Sequence, residues 1–296
     1  MISFVNVNKK FGDNPVLEDL SLRIPKGSIV GLVGKNGSGK STFLRLVAGI
    51  YHADAGVINI DNVNIFDNPE LKKQIFFVSD EPYFFNQSTL KEMKEFYSLF
   101  YDNFDEELYQ ELIDHFNIQE DTPIAMFSKG ARCQYALILG IAASTPILLL
   151  DESFDGLDPL VRLYFRKLIQ DRFNNVERCV ILSSHNLDDL EAVCDHFGVI
   201  KDGSIAEVQT KESLLDTYHK FHLSLEEEID LIAFDDYDFL HLSKYNKNYT
   251  IVLKGDEVKL EKALAELHPK SMYHSNLTLD EVFIYELGEE KYGEIL

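Results

Sequence analysis

The stretch GKNGSGKST, residues 34–42, follows the apolar run SIVGLV and precedes FLRLVAGI, whose apolar residues recur at helical spacing. A buried strand, a glycine-rich loop and a helix in that order let the loop amides turn inward around an anion, with a helix N-terminus behind them. Gly34-x-x-x-x-Gly39-Lys40-Ser41 is the phosphate-loop pattern, in which Lys40 reaches the β- and γ-phosphates and the Ser41 hydroxyl coordinates Mg2+. A flexible basic turn is the competing reading, and the flanking strand and helix weigh against it. The loop by itself predicts nucleotide binding, and does not say what the nucleotide drives.

More of the chain fits a nucleotide-dependent α/β fold. Strand-like segments (ISFVNV, VLEDLSLRI, SIVGLV, GVINIDNVNI) fill the first 65 residues, with turns at Gly12–Pro15 and Pro25–Gly27. Residues 89–145 turn helical: LKEMKEFYSLFYDNF places Leu90, Met93, Phe96 or Tyr97, and Phe100 on one stripe, and EELYQELIDHF repeats the habit. Apolar runs alternating with helices then predict a parallel sheet whose strand ends gather the chemistry. ILLLDE, residues 147–152, delivers two carboxylates to that edge, Asp151 to hold Mg2+ and Glu152 to polarise a water. The strand CVILSSH ends on His185, placed to donate to a γ-phosphate. FSKGARCQ opens a helix: Ser128 is its N-cap, and with the Gly130 amide it makes a second anion site for another molecule's nucleotide.

Taken together and in this order, GKNGSGKST, SKGAR, ILLLDE, GLDP and SSH resemble the motifs of the ATP-binding cassette (ABC) ATPases, over about residues 2–207. The resemblance implies a P-loop NTPase core (residues 1–207) with an antiparallel β subdomain and a helical subdomain at about 86–145. It also implies ATP and Mg2+ as ligands, hydrolysis coupled to transport, and two cassettes, of the same chain or a paralogue, packed head to tail. By position it implies that Phe11 stacks on adenine, that Gly34, Asn36, Gly37, Ser38, Gly39, Lys40, Ser41 and Thr42 cradle the phosphates, and that Ser128 and Gly130 act in trans. Asp151 and Ser41 hold the metal, Glu152 is the general base, His185 senses the γ-phosphate, and Asp158 communicates between sites. Asp80 stands where the family has a longer Gln or Glu near the metal, and SKGAR departs from the usual signature at Lys129 and Ala131. SKG-type signatures resemble those of small bacterial exporter cassettes, including the phenol-soluble-modulin peptide exporters. Tyr83–Phe85 fall near the family's docking place for the membrane subunit and serve either that contact or the core. Phe96 and Phe100 are expected in the core.

Residues 208–296 show no catalytic spacing. TKESLLDTYHKF reads as a helix, HLSLEE, FLHLSKY and YTIVLKG as strands, and DEVKLEKALAEL as a helix with a Leu260–Leu264–Leu267 stripe, predicting a small α+β accessory domain. EEEID and DDYD read as solvated charge. Of the formal net charge of −22, half lies from Ile205 onward, where 20 acidic residues face 9 lysines, giving −11. Such acidity argues against a nucleic-acid partner. Three unpaired cysteines suit a reducing cytosol, and the start of the chain does not read as a signal peptide. YALILGIAASTPILLL is 16 residues long and carries Pro146, too short to span a bilayer, so it reads as a buried helix and strand. A soluble motor at the cytoplasmic face of the membrane, held there by an integral membrane subunit, is the expectation. Its substrate would be a drug, a lipid or an amphipathic peptide; a soluble nucleotide-dependent regulator without transport is the alternative.

Overall fold

The computed structural model describes residues 1–85, 87–173, 177–226 and 237–288, and divides into two compact units, Met1–Val208 and Gln209–Leu296. In the first unit the chain runs β1 (Ile2–Phe11), β2 (Asn14–Leu20), β3 (Arg23–Ile24), β4 (Ile29–Val33), α1 (Lys40–Val47), β5 (Ala55–Ile60), β6 (Val63–Asn64), α2 (Pro69–Lys72), β7 (Ile75–Val78), α3 (Leu90–Ser98) and α4 (Glu106–His115). It continues through α5 (Lys129–Ala142), β8 (Ile147–Asp151), α6 (Pro159–Phe173), β9 (Cys179–Ser183), α7 (Leu187–Val193), β10 (His196–Lys201) and β11 (Ser204–Thr210).

Strands β1, β2, β3, β5 and β6 form an antiparallel sheet, in which Asp61 and Asn62, both at positive φ, turn β5 into β6. The second sheet has the order β11-β10-β4-β9-β8-β7, and its neighbours from β10 to β7 are parallel. All five residues of β4, β8 and β9 are buried, as expected of strands covered on both faces. Helix α1 lies in the core the two sheets share, where Phe43 stacks on Phe4 at 4.6 Å between ring centroids.

That parallel register carries the functional consequence. Leu32 pairs with Ser183, Asp151 with Ser183, and Val78 with Leu150, so β4, β9, β8 and β7 all end at one edge. Motifs separated by more than a hundred residues of chain therefore share a site. The helix and strand expected in YALILGIAASTPILLL are α5 and β8, separated by a turn at Ser144 with φ 52°.

The aromatic stripe of α3 differs from expectation. Leu90 and Met93 are buried, but Phe96 is 37% and Phe100 50% exposed, and Tyr97 and Tyr101 are the rings that pack inward on Phe76. The physical reason is the helical period: Phe96 and Tyr97 compete for one stripe, and the Tyr101 hydroxyl gains a bond to the Ile75 carbonyl at 3.2 Å that phenylalanine cannot make.

The second unit contains α8 (Lys211–Leu215), β12 (Tyr218–Ser224), β13 (Asp238–Tyr245), β14 (Asn248–Lys254), α9 (Glu257–Ala265), β15 (Ser271–Ser275) and α10 (Leu279–Leu287). Its antiparallel sheet has the order β13-β14-β12-β15. The single helix expected over TKESLLDTYHKF is corrected: it ends at Leu215, and Tyr218–Ser224 is a strand. Alternate burial explains this, because Phe221 and Leu223 enter a core with Ile251, Leu253, Leu260 and Leu264, while Lys220 meets Glu281 of α10 at 2.6 Å. Most of EEEID and half of DDYD lie outside the described residues.

Candidate nucleotide site

The loop between β4 and α1 has glycine where only glycine fits. A Cβ on Gly34 would meet Ser38 Oγ at 2.5 Å and the Ile200 carbonyl at 2.7 Å, and Gly39 takes φ 110°. Lys40 is buried, and its ammonium donates to the carbonyls of Gly34 at 2.7 Å and Lys35 at 3.1 Å. Burial lowers its pKa, opposed by the nearby charges of Glu152 and Asp151. Ser38 Oγ is buried without a hydrogen-bond partner among the described residues, an unmet polar atom inside an anion cradle. Gly37 (φ 80°) and Asn36 form the exposed crest of the loop, and Thr42 lies half-buried in the first turn of α1.

Asp151 ends β8 fully buried. Its Oδ1 accepts from Ser41 Oγ at 2.9 Å and Ser183 Oγ at 2.8 Å, while Oδ2 has no hydrogen bond among the described residues. A buried carboxylate with one oxygen outside any hydrogen bond, facing only Arg45 at 3.7 Å, beside a serine hydroxyl is a donor set that fits Mg2+. Glu152 follows at φ 44°, unusual for a residue with a side chain, and its amide donates to the Ser183 carbonyl and hydroxyl at 3.1 and 3.2 Å. Ligand atoms of Glu152, Asp155 and His185 all lie within 4.8 Å of one another, and His185 Nδ1 is 3.1 Å from Asp155.

Arg45 and Asp155 are residues that motif matching missed. From α1, Arg45 Nη2 lies 3.4 Å from Asp80 and 3.7 Å from Asp151, so the loop after β7 reaches the acidic end of β8 through a guanidinium. Arg45 also sits 6.0 Å over the Tyr51 ring, and Tyr51 meets Phe11 edge-on at 5.3 Å. Phe11, 45% exposed at the end of β1, carries the Lys9 ammonium over its ring, 5.3 Å from the centroid.

Ser128 caps α5 by accepting from the Ala131 amide at 3.2 Å. Gly130 packs on the loop before α6, where an added Cβ would lie 2.3 Å from the Gly156 carbonyl. Lys129 reaches Glu81 at 3.6 Å, and Asp158 Oδ1 accepts from the Leu160 amide at 2.9 Å. Among the described residues no hydrogen bond joins Ser128 or Gly130 to residues 34–42. The chain thus gathers Lys40, Ser41, Asp80, Asp151, Glu152 and His185 at one edge.

A phosphate loop after β4 and an acidic end on β8, with β9 between them in one parallel sheet, define a P-loop nucleoside triphosphatase. The comparisons narrow the class. The ABC transporter family model matches residues 17–155. The chain is 32% identical over 291 residues to the ABC transporter ATP-binding protein YtrB of Bacillus subtilis (strain 168), covering 98% of this chain and 99% of that protein. It is 26% identical to the bacitracin transport ATP-binding protein BcrA of Bacillus licheniformis, over 70% of this chain and 69% of that one. Further relatives include proteins named for sulfate/thiosulfate import. Among solved structures, an ATP-binding subunit of an ABC transporter superposes with a TM-score of 0.66 at 25% identity, over 72% of this chain and 91% of that one. The chain belongs to the ABC transporter ATP-binding family: it binds ATP and is an ATPase. No helix among the described residues is long and apolar enough to cross a membrane.

Proposed function

We propose that this chain is the motor of a bacterial exporter, moving a drug, a lipid or an amphipathic peptide through a separate membrane subunit. Two cassettes close head to tail around two Mg-ATP, each phosphate loop facing the other chain's Ser128 and Gly130. The observation that supports this reading is the gathering of Lys40, Ser41, Asp151, Glu152 and His185 at one sheet edge, while Ser128 caps a different helix, α5. Ser41 and Asp151 would hold Mg2+, which would supply neutralisation of the charge on the β- and γ-phosphates. Lys40 exchanges its two carbonyl bonds for phosphate oxygens. Glu152 takes the proton of the attacking water, and His185, steadied by Asp155, donates to the γ-phosphate.

The export direction rests on the SKGAR signature and the long C-terminal unit. Tyr83, Phe85, Phe96 and Phe100 form a chain of exposed rings with centroids 4.9–6.5 Å apart, a surface suited to a helix of the membrane subunit at the cytoplasmic face. Intact Lys40, Asp151, Glu152 and His185 favour turnover over a regulator that only binds nucleotide.

The deciding experiment is the solution mass of Glu152→Gln with and without Mg-ATP, by size-exclusion chromatography with light scattering. A monomer that becomes a dimer only with ATP is expected. A chain that binds ATP and stays monomeric would refute closure on a second copy.

A further inference from the structure

The second unit holds a side-chain cluster that nucleotide chemistry does not use. His219 of β12, His274 of β15 and Glu257 in the first turn of α9 each offer a ligand atom, and these atoms lie within 4.8 Å of one another. The sheet builds the arrangement. Phe221 pairs directly with His274, so the His219 side chain, two residues along β12, falls on the same face one step away, with ring centroids 5.4 Å apart. The start of α9 brings Glu257 to that face, and His274 Nδ1 lies 3.2 Å from its Oε1.

Two details favour an ion over a simple charge pair. His219 is only 5% exposed, and its Nε2 lies 3.0 Å from the Gly255 carbonyl oxygen. A carbonyl only accepts, so Nε2 carries the proton and Nδ1 keeps its lone pair, the tautomer that a backbone carbonyl imposes on a metal-binding imidazole. Donor atoms of a tetrahedral ion with bonds of about 2.0–2.2 Å stand roughly 3.3–3.5 Å apart, close to the His274–Glu257 contact. The remaining closure falls on Glu257, whose side chain is 48% exposed.

We propose that His219, His274 and Glu257 bind one divalent transition-metal ion, with Zn2+ as the best match, clipping β12 and β15 to the start of α9. Two imidazoles and one carboxylate suit zinc and its first-row neighbours, whereas Mg2+ and Ca2+ take oxygen donors. A fourth position remains for water.

The test uses the full chain, stripped with chelator and free of nucleotide. Equilibrium dialysis against Zn2+ counts the ions, and Co2+ reports tetrahedral coordination through its visible absorption. Because Glu152, Asp155 and His185 form a second candidate cluster, every chain carries His185→Ala. On that background one equivalent is expected, lost on adding Glu257→Gln or His274→Gln, together with the zinc-dependent rise in melting temperature. An unchanged circular-dichroism spectrum and melting temperature of those variants in the metal-free state show that the second unit is folded, without relying on substitution of the buried His219. A chain that binds no Zn2+, or keeps its ion through both substitutions, overturns the proposal.

Discussion

Gly130 illustrates how one missing Cβ can matter in two places. Its backbone lies so close to the Gly156 carbonyl that a methyl group would sit 2.3 Å from the oxygen. Gly130→Ala should therefore push the start of α5 from the loop before α6 and cost about 1–3 kcal/mol, the usual scale for overpacking, read as a lower melting temperature. Lys40 behaves differently. Its removal deletes a buried cation next to Asp151 and Glu152 but leaves the loop's glycines in place. Lys40→Ala should keep the fold while binding of a fluorescent ATP analogue falls at least tenfold; binding within twofold of wild type would contradict the assignment. Both residues stand out in the sequence, Lys40 by its motif and Gly130 by its signature. Arg45 does not, because its meaning depends on Asp80 and Asp151 arriving from β7 and β8.

At the scale of elements, α6 and α7 are joined by a buried charge. Asp189 of α7 is fully buried between Arg162, at 3.5 Å, and Arg166, its closer partner. Removing one member of such a buried set strands the others, so Asp189→Ala should lose about 3–5 kcal/mol of stability in denaturant titrations. It should also lower ATP turnover, since His185 immediately precedes the cap of α7. The helical region from α3 to α5 makes a pH prediction. Burial pushes the Tyr101 and Tyr135 hydroxyls up to about 12, so the folded state holds them neutral. An unfolded tyrosine ionises near pH 10. The stability these rings contribute is complete below pH 10 and is lost as pH rises from 10 to 12, which alkaline unfolding followed by circular dichroism would record. Stability unchanged across that window would contradict the assignment.

Across the whole molecule, the same chain must hydrolyse ATP and present a surface to a partner. Phe96→Ser and Phe100→Ser remove exposed rings that the core does not need. In the double variant, ATP turnover of the isolated chain should stay within about twofold of wild type. Stimulation by the reconstituted membrane subunit should fall at least tenfold, as expected where aromatic anchors carry an interface. Full stimulation would place the docking surface elsewhere.

Local pattern determined much of this protein. The glycine spacing of residues 34–39, the acid at the end of ILLLDE and the Ser128 cap are each written in a few adjacent residues, because turns, strand ends and caps depend on neighbours in the chain. Strand and helix identities followed wherever one period dominated, as in ILLLD and LEKAL. They failed at YHKF, where only pairing with β14 and β15 makes a strand, and at Phe96, where two aromatics fitted one stripe. Tertiary structure alone decided the bridge of Arg45 between Asp80 and Asp151, the positive φ of Glu152, and the meeting of His219, His274 and Glu257. The Arg45 bridge and the His219–His274–Glu257 cluster join residues far apart in the chain, and their contacts exist only once parallel or antiparallel register has set which strand ends lie side by side.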